Sequence, residues 1–344
     1  MPPLRVGIIG CGRIGSLLED DPLRGKPCTH AGAFDSLAST RIVAGCDPHP
    51  ERLARFGERW GVPALYRDAR ELLAEETPDL VSIAAWTRVH AELALACARA
   101  GVKGVLCEKP IALTLTEGQK MVQAFNRRGI PLVINHERRW EPYYRLARDI
   151  IRKGKIGEVR TIIGNALSGS PGKARVKDWG GGPLFHDGTH LTDLFHFFGG
   201  PVAWVMAHEN RPHGKSHIEE TACAMVKFKS GATGFVEGGG ARRYFNFELD
   251  IQGSEGRLLI GNAGRELYIT KKSRRFTGFQ ELERVPFPEP KKAESPFTGA
   301  ARDLVACVRR GKASQSSGED GLMALRLIHA IYQSAGQNGK KVRP

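Results

Sequence analysis

The segment Gly180–His190, with the sequence GGGPLFHDGTH, holds the residues of this chain best suited to chemistry. It places His186, Asp187 and His190 within five residues, shortly after three consecutive glycines. Histidine changes its charge near neutral pH, with an ordinary pKa of about 6.5, and serves both as a general base and as a metal ligand. The spacing therefore fits an acid–base site, a metal site or the start of a helix that Asp187 caps.

A zinc site would add Asp193 and His196, which stand at possible ligand spacing from His186 and His190. The segment lacks an H-E-x-x-H pattern, and the seven cysteines of the chain form no C-x-x-C pair. The sequence LFHFF around His196 is typical of a helix that packs an apolar face. We therefore expect no metal, and we expect most cysteines to fill cores rather than to form disulfides.

A nucleotide-binding pattern stands at the front of the chain, where GIIGCGRIG continues a strand-like run. Gly10, Gly12 and Gly15 match G-x-G-x-x-G, whose glycines allow a tight turn, a close approach to pyrophosphate and close packing of helix on strand. The N–H groups and dipole of the following helix would stabilise the phosphates. Arg13 and Ile14, between these glycines, are predicted to join them as cofactor contacts.

Asp47, in VAGCDPHP, supplies the acid expected at the end of the second strand of such a fold. A carboxylate there accepts hydrogen bonds from ribose hydroxyls and repels a 2′-phosphate, which favours NAD over NADP as the cofactor. The same residue type also suits a helix N-cap before PERLARF. Asp47 lies farther from Gly15 than the usual ~20 residues, so we interpret residues 19–29 as an insertion, either structural or at a site entrance.

The elements that must position these residues alternate between strands and helices over the first 130 residues. Continuous apolar, β-branched runs are typical of strands buried on both faces, and the helical patterns between them end at glycines. This alternation predicts an N-terminal Rossmann domain with a doubly wound parallel sheet. The strand-like runs are RVGIIG, RIVAGCD, LVSIAAW, GVLCEKP and IPLVIN.

The pattern changes after residue 150, where strand-like runs follow one another with hairpin signals such as KSG and GSEG. They predict a C-terminal α+β domain with a large, mainly antiparallel open sheet and helices on one face. The predicted domains are 1–130, which binds NAD, and 131–344, which binds substrate. Within the second domain we expect a surface loop over 271–296 and a helical tail over 297–338.

The formal net charge of +14 comes from basic residues spread along the chain in short runs, without a nucleic-acid motif. We therefore expect anionic cofactors, not nucleic acid, as its partners. No apolar run approaches the ~20 residues that span a bilayer, so no membrane partner is expected. The N-terminus MPPLRVGIIG has no signal-peptide pattern, which favours a cytoplasmic location.

Five motifs cover almost the whole chain: GIIGCGRIG, HAELALACARAGVKGVLCEKP, IRKGKIGEV, GGGPLFHDGTHLTD and GEDGLMALRLIHAIYQSA. Together they resemble the Gfo/Idh/MocA oxidoreductases, the family of glucose–fructose oxidoreductase and inositol dehydrogenase. The resemblance implies a nicotinamide cofactor and a reaction at a secondary hydroxyl of a sugar, polyol or cyclitol. It also implies a homodimer or homotetramer formed through the sheet of the second domain.

The Glu-Lys-Pro step at 108–110 is a central part of this resemblance. In the family, the lysine reaches the reacting hydroxyl and the nicotinamide, and this role maps onto Lys109, with Glu108 beside it. Ligands bind at the carboxyl edge of parallel sheets, and an ammonium group there stabilises developing alkoxide charge. Pro110 is expected to set the backbone direction of the lysine through a cis bond.

The loop after the third main strand departs from the family, which commonly has a Thr-Pro step before H-A-E. Here the sequence is AAWTRVHAE, with Trp86 at the position of the proline. Trp86 is expected to stack on the nicotinamide or to wall off the sugar. Ala85 and His90 are predicted cofactor contacts.

GGGPLFHDGTH departs from the family pattern as well. His190 and Asp193 match it, but His186 stands where the family has Asp, and Asp187 follows one residue later. We predict His190 as the base. Positions 186 and 190 share one face of a helix, so His186 is predicted to be a substrate-hydroxyl ligand or a proton relay. For Asp187, helix capping or structural pairing, direct substrate contact and a shared proton relay all stay open.

Aromatic and basic residues provide further candidates for substrate binding, because aromatic rings pack on the C–H faces of sugars. They are Trp179, which precedes the three glycines, and Trp140 and Arg138 or Arg139 in NHERRW. Packing at a surface or interface is the alternative for each of them.

We therefore predict an NAD-dependent dehydrogenase of CH–OH donors in which His190 removes the hydroxyl proton and Lys109 assists. One alternative keeps the cofactor but oxidises a glycoside only transiently, with elimination or hydrolysis before the hydride returns. Another is an NAD-binding regulator without catalysis, against which the presence of both Lys109 and His190 argues.

Overall fold

Two structural units make up the chain, and each is built from two separate stretches. The computed structural model describes residues 1–169, 181–212, 218–291 and 294–344. The first unit is Met1–Glu141 with Ala293–Leu322, and the second is Pro142–Lys292 with Met323–Pro344. The predicted domains, 1–130 and 131–344, differ from these units, because the predicted tail over 297–338 is divided between them.

The first unit is built on a parallel sheet with the strand order β3-β2-β1-β4-β5-β6. The order reverses between β1 and β4, as in doubly wound nucleotide-binding folds, so the predicted Rossmann sheet is confirmed. Its strands are β1 (Leu4–Ile9), β2 (Thr40–Cys46), β3 (Ala64–Tyr66), β4 (Leu80–Ile83), β5 (Gly104–Cys107) and β6 (Leu132–Ile134).

The helices of the first unit begin and end largely where the sequence predicts. Helix α2 has Pro50 in its first turn, and α2, α4 and α5 end at Gly61, Gly101 and Gly129. The helices are α1 (His30–Asp35), α2 (Pro50–Trp60), α3 (Ala69–Glu76), α4 (Thr87–Ala100) and α5 (Leu115–Arg128), with short 3₁₀ helices at Leu17–Asp20 and Glu137–Arg139.

The helix that opens at the glycine-rich loop is interrupted by residues 18–29 and resumes at His30. The His30 N–H donates to Ile14 O and the Ala31 N–H to Gly15 O, both at 3.0 Å. In an uninterrupted α-helix, residues 18 and 19 would make these bonds. The looped-out segment is therefore twelve residues long, close to the predicted insertion over 19–29. Its removal would leave the ~20-residue spacing to Asp47 that is usual for this fold.

Helix α9 (Pro296–Arg310) returns late in the chain and completes the core of the first unit. Leu304 is fully buried, and its Cδ1 would lie 2.8 Å from a Cβ on Gly104, so it packs directly on β5. The same core includes Phe34 of α1 and Leu106 of β5. The amphipathic pattern of this segment predicted a helix, but it does not tell which core the helix joins.

Replacing Leu304 with alanine should lower the free energy of unfolding by about 3 kcal/mol, because it leaves a cavity between α9 and the sheet. Urea denaturation of the whole chain measures this loss. Leu23→Ala is the matched control, since Leu23 is 94% exposed, and its effect should stay within about 0.5 kcal/mol. Equal effects of the two substitutions would show that α9 does not support the core.

The second unit is built on a sheet ordered β14-β13-β12-β11-β7-β10-β9-β8, in which β7 and β10 pair in parallel and the other described pairs are antiparallel. This confirms the predicted large, mainly antiparallel sheet. Its strands are β7 (Val159–Leu167), β8 (Val202–Asn210), β9 (Thr221–Phe228), β10 (Thr233–Gly239), β11 (Asn246–Gly253), β12 (Gly256–Gly261), β13 (Gly264–Lys272) and β14 (Gln280–Val285).

Residues 271–296 were predicted to be a surface loop. That prediction is wrong for residues 271–272, which end β13, and for residues 280–285, which form β14. Gln280 pairs with Lys272 and Val285 with Leu267. The pattern misleads because β14 is an exposed edge strand in which charged side chains fill three of the six positions.

The helices of the second unit are α6 (Pro142–Arg152), α7 (Pro183–His186), α8 (Gly188–Gly199) and most of α10 (Gly318–Gly336). Leu191 and Phe195 of α8 lie over Gly164 of β7, which holds α8 against the sheet. Across the described residues of both units, no helix is long and apolar enough to cross a membrane.

Candidate functional site

The glycine-rich loop after β1 has the geometry of a dinucleotide-binding turn. Gly10 has a φ of +98°, and a Cβ there would lie 2.5 Å from Ala84 O. A Cβ on Gly15 would overlap Gly10 O, so only glycine allows the loop to close on itself. At Gly12, by contrast, the nearest described atom to a Cβ is Arg52 Nη1 at 3.8 Å. The backbone at Gly12 is therefore open to a ligand beside a guanidinium group.

Asp47 stands at the end of β2 and is tied to this loop. Its carboxylate accepts the N–H groups of Cys11 and His49, both at 2.9 Å, and the residue is 4% exposed. His49, rather than Asp47, is the N-cap of α2. A carboxylate offers about four lone-pair sites, so these two bonds leave acceptor capacity for a ribose diol. On the loop itself, Arg13 is exposed and Ile14 is half-buried.

The Glu108–Pro110 turn follows β5 and is held from both sides. Glu108 is buried, and its Oε2 accepts the Lys109 N–H at 3.2 Å. The Lys109–Pro110 peptide is cis, as predicted. Burial alone would raise the pKa of Glu108, but its hydrogen bond with His30, the charges of His30 and Lys109 and a hydrogen bond from Asn135 outweigh burial and lower this pKa to about 2. Glu108 is therefore a carboxylate at any ordinary pH.

His90 connects this turn to the loop that follows β4. Its Nδ1 lies 2.9 Å from Pro110 O and its Nε2 3.0 Å from Ala85 O. The residue is fully buried, and burial lowers its pKa. His90 was predicted to contact the cofactor. Its two ring nitrogens face backbone carbonyls of two loops, a placement that suits a residue that holds these loops together. Trp86, beside Ala85, is 45% exposed and available for stacking.

These residues of the first unit share one edge of its sheet. The glycine-rich loop, Asp47, Ala85 and Lys109 follow β1, β2, β4 and β5, respectively, and the carboxyl ends of parallel strands meet at the same edge. The order of the strands reverses between β1 and β4 at this edge, where open α/β sheets bind their ligands.

The predicted acid–base residues lie in the second unit, at the junction of α7 and α8. His186 ends α7, and its Nδ1 lies 3.0 Å from Asp187 Oδ1. About a third of each of these two side chains is exposed. His190 lies in the first turn of α8 and is 7% exposed. The two histidines therefore belong to consecutive helices, with Asp187 between them.

The capping role considered for Asp187 is contradicted by the structure. Asp187 occupies the N-cap position of α8, but its φ of −92° and ψ of −35° are helical. In the described part of the chain its carboxylate makes no capping hydrogen bond to α8. The carboxylate pairs with the His186 ring instead, so structural pairing, substrate contact and a proton relay stay open as its roles.

Glu219 supports this segment and has no recognisable motif in the sequence. It is 1% exposed, and its Oε1 accepts the Leu184 N–H at 3.1 Å and the Tyr332 hydroxyl at 2.8 Å. The carboxylate lies against Gly182, at the start of α7. Burial raises the pKa of Glu219, although the hydrogen bond from Tyr332 opposes this effect.

Replacing Glu219 with glutamine should stabilise the chain relative to wild type as the pH rises from 4.5 to neutral. An acid with a raised folded pKa binds its proton more tightly in the native than in the unfolded chain, so native stability falls as pH rises from the ordinary value of 4.5 through the raised value. Glutamine keeps an oxygen acceptor for Leu184 and Tyr332 but carries no charge. Urea unfolding of both proteins across this pH range measures the difference.

Tyr332→Phe is the companion variant, because it removes a donor that lowers the pKa of Glu219. It should make the total fall in stability between pH 4.5 and neutral larger than in wild type. A pH dependence that is identical in wild type and Glu219→Gln would contradict the prediction.

The other predicted substrate residues have different surroundings. Trp140 is 4% exposed and belongs to the hydrophobic core of the first unit, where it packs against Gly299. Its position is therefore that of a core residue and not of a substrate contact. Arg139 is 4% exposed and pairs with Asp320 at 3.0 Å, which is a structural role. Arg138 is partly exposed and stays a candidate. Trp179 lies outside the described residues.

In the described residues, no group of three or more His, Cys, Asp or Glu side chains is placed to hold a metal ion such as zinc. His196 contacts Met323 O through its Nε2 at 3.2 Å, within the second unit. That contact joins α8 to α10 and gives His196 a structural position.

Two family models match the chain, one in each half. Residues 4–136 match the Gfo/Idh/MocA oxidoreductase family, NAD-binding Rossmann fold. Residues 144–259 match the Gfo/Idh/MocA C-terminal domain. The first match contains the glycine-rich loop, Asp47 and Lys109, and the second contains His186 and His190.

Similar proteins include a D-apiose dehydrogenase of Paraburkholderia graminis, which is 32% identical over 89% of this chain and 84% of its own length. A myo-inositol 2-dehydrogenase of Thermotoga maritima is 26% identical over 96% of both chains. Among solved structures, a levoglucosan dehydrogenase in complex with NADH and L-sorbose has a TM-score of 0.82 at 24% identity, covering 100% of this chain and 99% of that one. That likeness shows a shared fold.

Proposed function

This chain belongs to the Gfo/Idh/MocA family of oxidoreductases, and from that premise we propose that it is an NAD-dependent dehydrogenase of a sugar, sugar derivative or cyclitol. One observation carries the proposal most directly. Lys109 is held at the carboxyl edge of an NAD-binding Rossmann sheet, with its own N–H bound to Glu108 and the adjoining Pro110 carbonyl bound to His90.

The residues at this edge fit a nicotinamide dinucleotide. The open backbone at Gly12 beside Arg52 suits a pyrophosphate, and the remaining lone pairs of Asp47 suit the adenosine ribose. The exposed Trp86 offers a flat apolar face on the same edge. Bound there, the cofactor would accept the hydride from the C–H bond of the substrate alcohol or return it.

Asp47 should set the preference for NAD over NADP, because its carboxylate repels a 2′-phosphate. Replacing Asp47 with asparagine removes the charge and keeps an oxygen acceptor for one of the Cys11 and His49 N–H groups, which bond to different carboxylate oxygens. The ratio of kcat/KM with NAD to that with NADP should fall about tenfold. Fluorescence titrations with NADH and NADPH give an independent measurement. A wild-type preference for NADP would refute this role.

The chain supplies two groups for the proton and the charge of the reacting hydroxyl. His190 accepts the hydroxyl proton as general base. The Lys109 ammonium donates a hydrogen bond to the substrate oxygen and stabilises its developing negative charge. The reaction is reversible, so the same groups return the proton when a ketone is reduced.

His186 and Asp187 form a hydrogen-bonded pair that is partly exposed, and we assign them to the substrate's other hydroxyls. A hydrogen bond between one ring nitrogen of a histidine and a carboxylate fixes the orientation of the ring. The second ring nitrogen then has a fixed direction, which suits binding of a hydroxyl group. Arg138 is the further candidate for substrate binding.

Purified protein incubated with NAD and a panel of D-apiose, myo-inositol, levoglucosan and related sugars tests the function. A rise in NADH absorbance with one of them supports a dehydrogenase. Product formation at constant nicotinamide absorbance would instead support the enzyme that oxidises a glycoside transiently and then restores it. Absence of turnover with cofactor bound would favour an NAD-binding regulator.

The sheet of the second unit carries an apolar row suited to association of copies. Met206, Met225, Phe235 and Ile163 are paired neighbours on β8, β9, β10 and β7. Met206 is 40% exposed and Phe235 is 45% exposed. Exposed apolar side chains in one row mark interaction surfaces, and we assign this one to a homodimer or homotetramer. Sedimentation equilibrium measures the resulting mass.

A further inference from the structure

A buried polar cluster lies behind the Lys109 turn, and the roles proposed above use little of it. It consists of His30 in α1, Ser82 in β4, Glu108 just after β5 and Asn135 just after β6, all in the first unit. His30 and Ser82 are fully buried, Asn135 is 1% exposed and Glu108 is 6% exposed. Buried polar groups are costly unless they are hydrogen-bonded, so this cluster calls for an explanation.

Glu108 is the centre of the cluster. Its Oε1 accepts hydrogen bonds from His30 Nε2 at 2.8 Å and from Asn135 Nδ2 at 2.6 Å. Because a carboxylate only accepts, Nε2 of His30 carries a proton. Nδ1 of the same ring lies 2.6 Å from Ser82 Oγ. The ring is thus bound at both nitrogens, and its orientation toward Glu108 is determined.

His30 also belongs to the interrupted helix that begins at the glycine-rich loop. Its backbone N–H donates to Ile14 O at 3.0 Å, the bond at which the helix resumes. The edge of the Phe297 ring packs on the imidazole, with the ring centroids 6.0 Å apart. One residue therefore joins the backbone of the dinucleotide-binding loop to the carboxylate that holds Lys109.

We propose that His30 is a positioning residue for Lys109: it orients Glu108, which holds the Lys109 N–H, and it ties this turn to the glycine-rich loop. The inference rests on the proposed function, because it assumes that Lys109 meets the substrate. A shift of about 1 Å in a catalytic group can cost about 100-fold in rate. Partners behind a functional residue that fix its orientation are therefore part of the site.

Replacing His30 with glutamine tests the inference, because glutamine cannot bind Ser82 and Glu108 in the same way. We expect kcat to fall about 10- to 100-fold. The substrate KM and the dissociation constant of NADH, measured by fluorescence, should change less than about threefold, since no binding group is removed. A general loss of structure would lower the amount of active protein and NADH binding together, which separates the two explanations.

The combination of His30→Gln with Lys109→Met is the sharper measurement. If His30 acts through Lys109, adding His30→Gln to Lys109→Met should lower the residual kcat by less than about twofold. If His30→Gln lowers kcat by the same factor in the wild-type and in the Lys109→Met protein, His30 acts independently of Lys109 and the inference is overturned. If Lys109→Met keeps the wild-type kcat, the proposed role of Lys109 and this inference both fail. If Lys109→Met lowers kcat but His30→Gln does not, only the inference about His30 is overturned.

If the His30→Gln protein does not fold, Ser82→Ala tests the same inference, because this substitution removes only the hydroxyl that orients the His30 ring. It should lower kcat about two- to tenfold and shift the NMR resonance of the His30 Nε2 proton. Ser36→Ala is the matched control: Ser36 lies just after α1, and its hydroxyl donates to Ala33 O at 2.8 Å. Equal kcat values for wild type, Ser36→Ala and Ser82→Ala would overturn the inference.

Discussion

Replacing Lys109 with methionine should lower kcat about 100- to 1,000-fold, the cost of removing one preorganised donor from a developing oxyanion. Methionine keeps an unbranched apolar stem but has no charge to offer the substrate oxygen. The turn should keep its shape, because the Lys109 N–H and the Pro110 carbonyl, whose hydrogen bonds hold it, are unchanged by the substitution. Steady-state kinetics with the best substrate of the panel measures the loss.

Lys103→Met is the matched control for this variant. Lys103 lies just before β5, and its side chain is 61% exposed and pairs with Asp79 at 2.7 Å. Its replacement should leave kcat within about twofold of wild type, since exposed ion pairs contribute little. The NADH dissociation constants of both variants should show that each still binds cofactor. A Lys109→Met enzyme with the wild-type rate would exclude Lys109 from the chemistry.

Replacing His190 with alanine should lower kcat about 100- to 10,000-fold, the usual contribution of a general base. His190 is 7% exposed, so alanine leaves a cavity in the first turn of α8. Free imidazole should enter that cavity and restore part of the rate, because it supplies the missing proton acceptor. A residue with only a structural role would not be rescued in this way.

The control for His190 is His208→Ala, an exposed histidine on β8 of the same unit. It should keep the wild-type kcat and show no response to imidazole. Failure of imidazole to raise the rate of His190→Ala, in a protein that still binds NADH, would argue that another group accepts the proton. The partly exposed His186 would then be the next candidate.

The sequence predicts the sheets of this protein well because their signals are local. Each β-branched run of the first unit became a strand of the parallel sheet, and the hairpin signals KSG and GSEG lie between β9 and β10 and between β11 and β12. Strand β14 was missed because three of its six side chains are charged and it lies at an exposed sheet edge. Helix α9 was predicted as a helix but assigned to the other half of the chain, since an apolar helix face does not specify its partner.

The candidate site shows the same limit. The glycine-rich loop, Asp47 and Lys109 stand in motifs that identify them by spacing alone. His30 and Glu219 stand in no such motif and acquire their surroundings from residues 78 and 113 positions away, Glu108 and Tyr332. The burial of Trp140 and Arg139 could not be predicted from the sequence either, because aromatic and basic residues occur both in buried structural positions and in binding sites.

The late position of α9 in the sequence has a consequence for folding of the chain during its synthesis on the ribosome. When residue 141 has been made, all six strands of the first unit exist, but Phe34 and Leu106 still lack the helix that covers the core they share. The chain must synthesise about 150 further residues, including the whole described sheet of the second unit, before α9 emerges. Domains generally fold as they are completed. The unit that is begun first is therefore completed only after the sheet of the second unit.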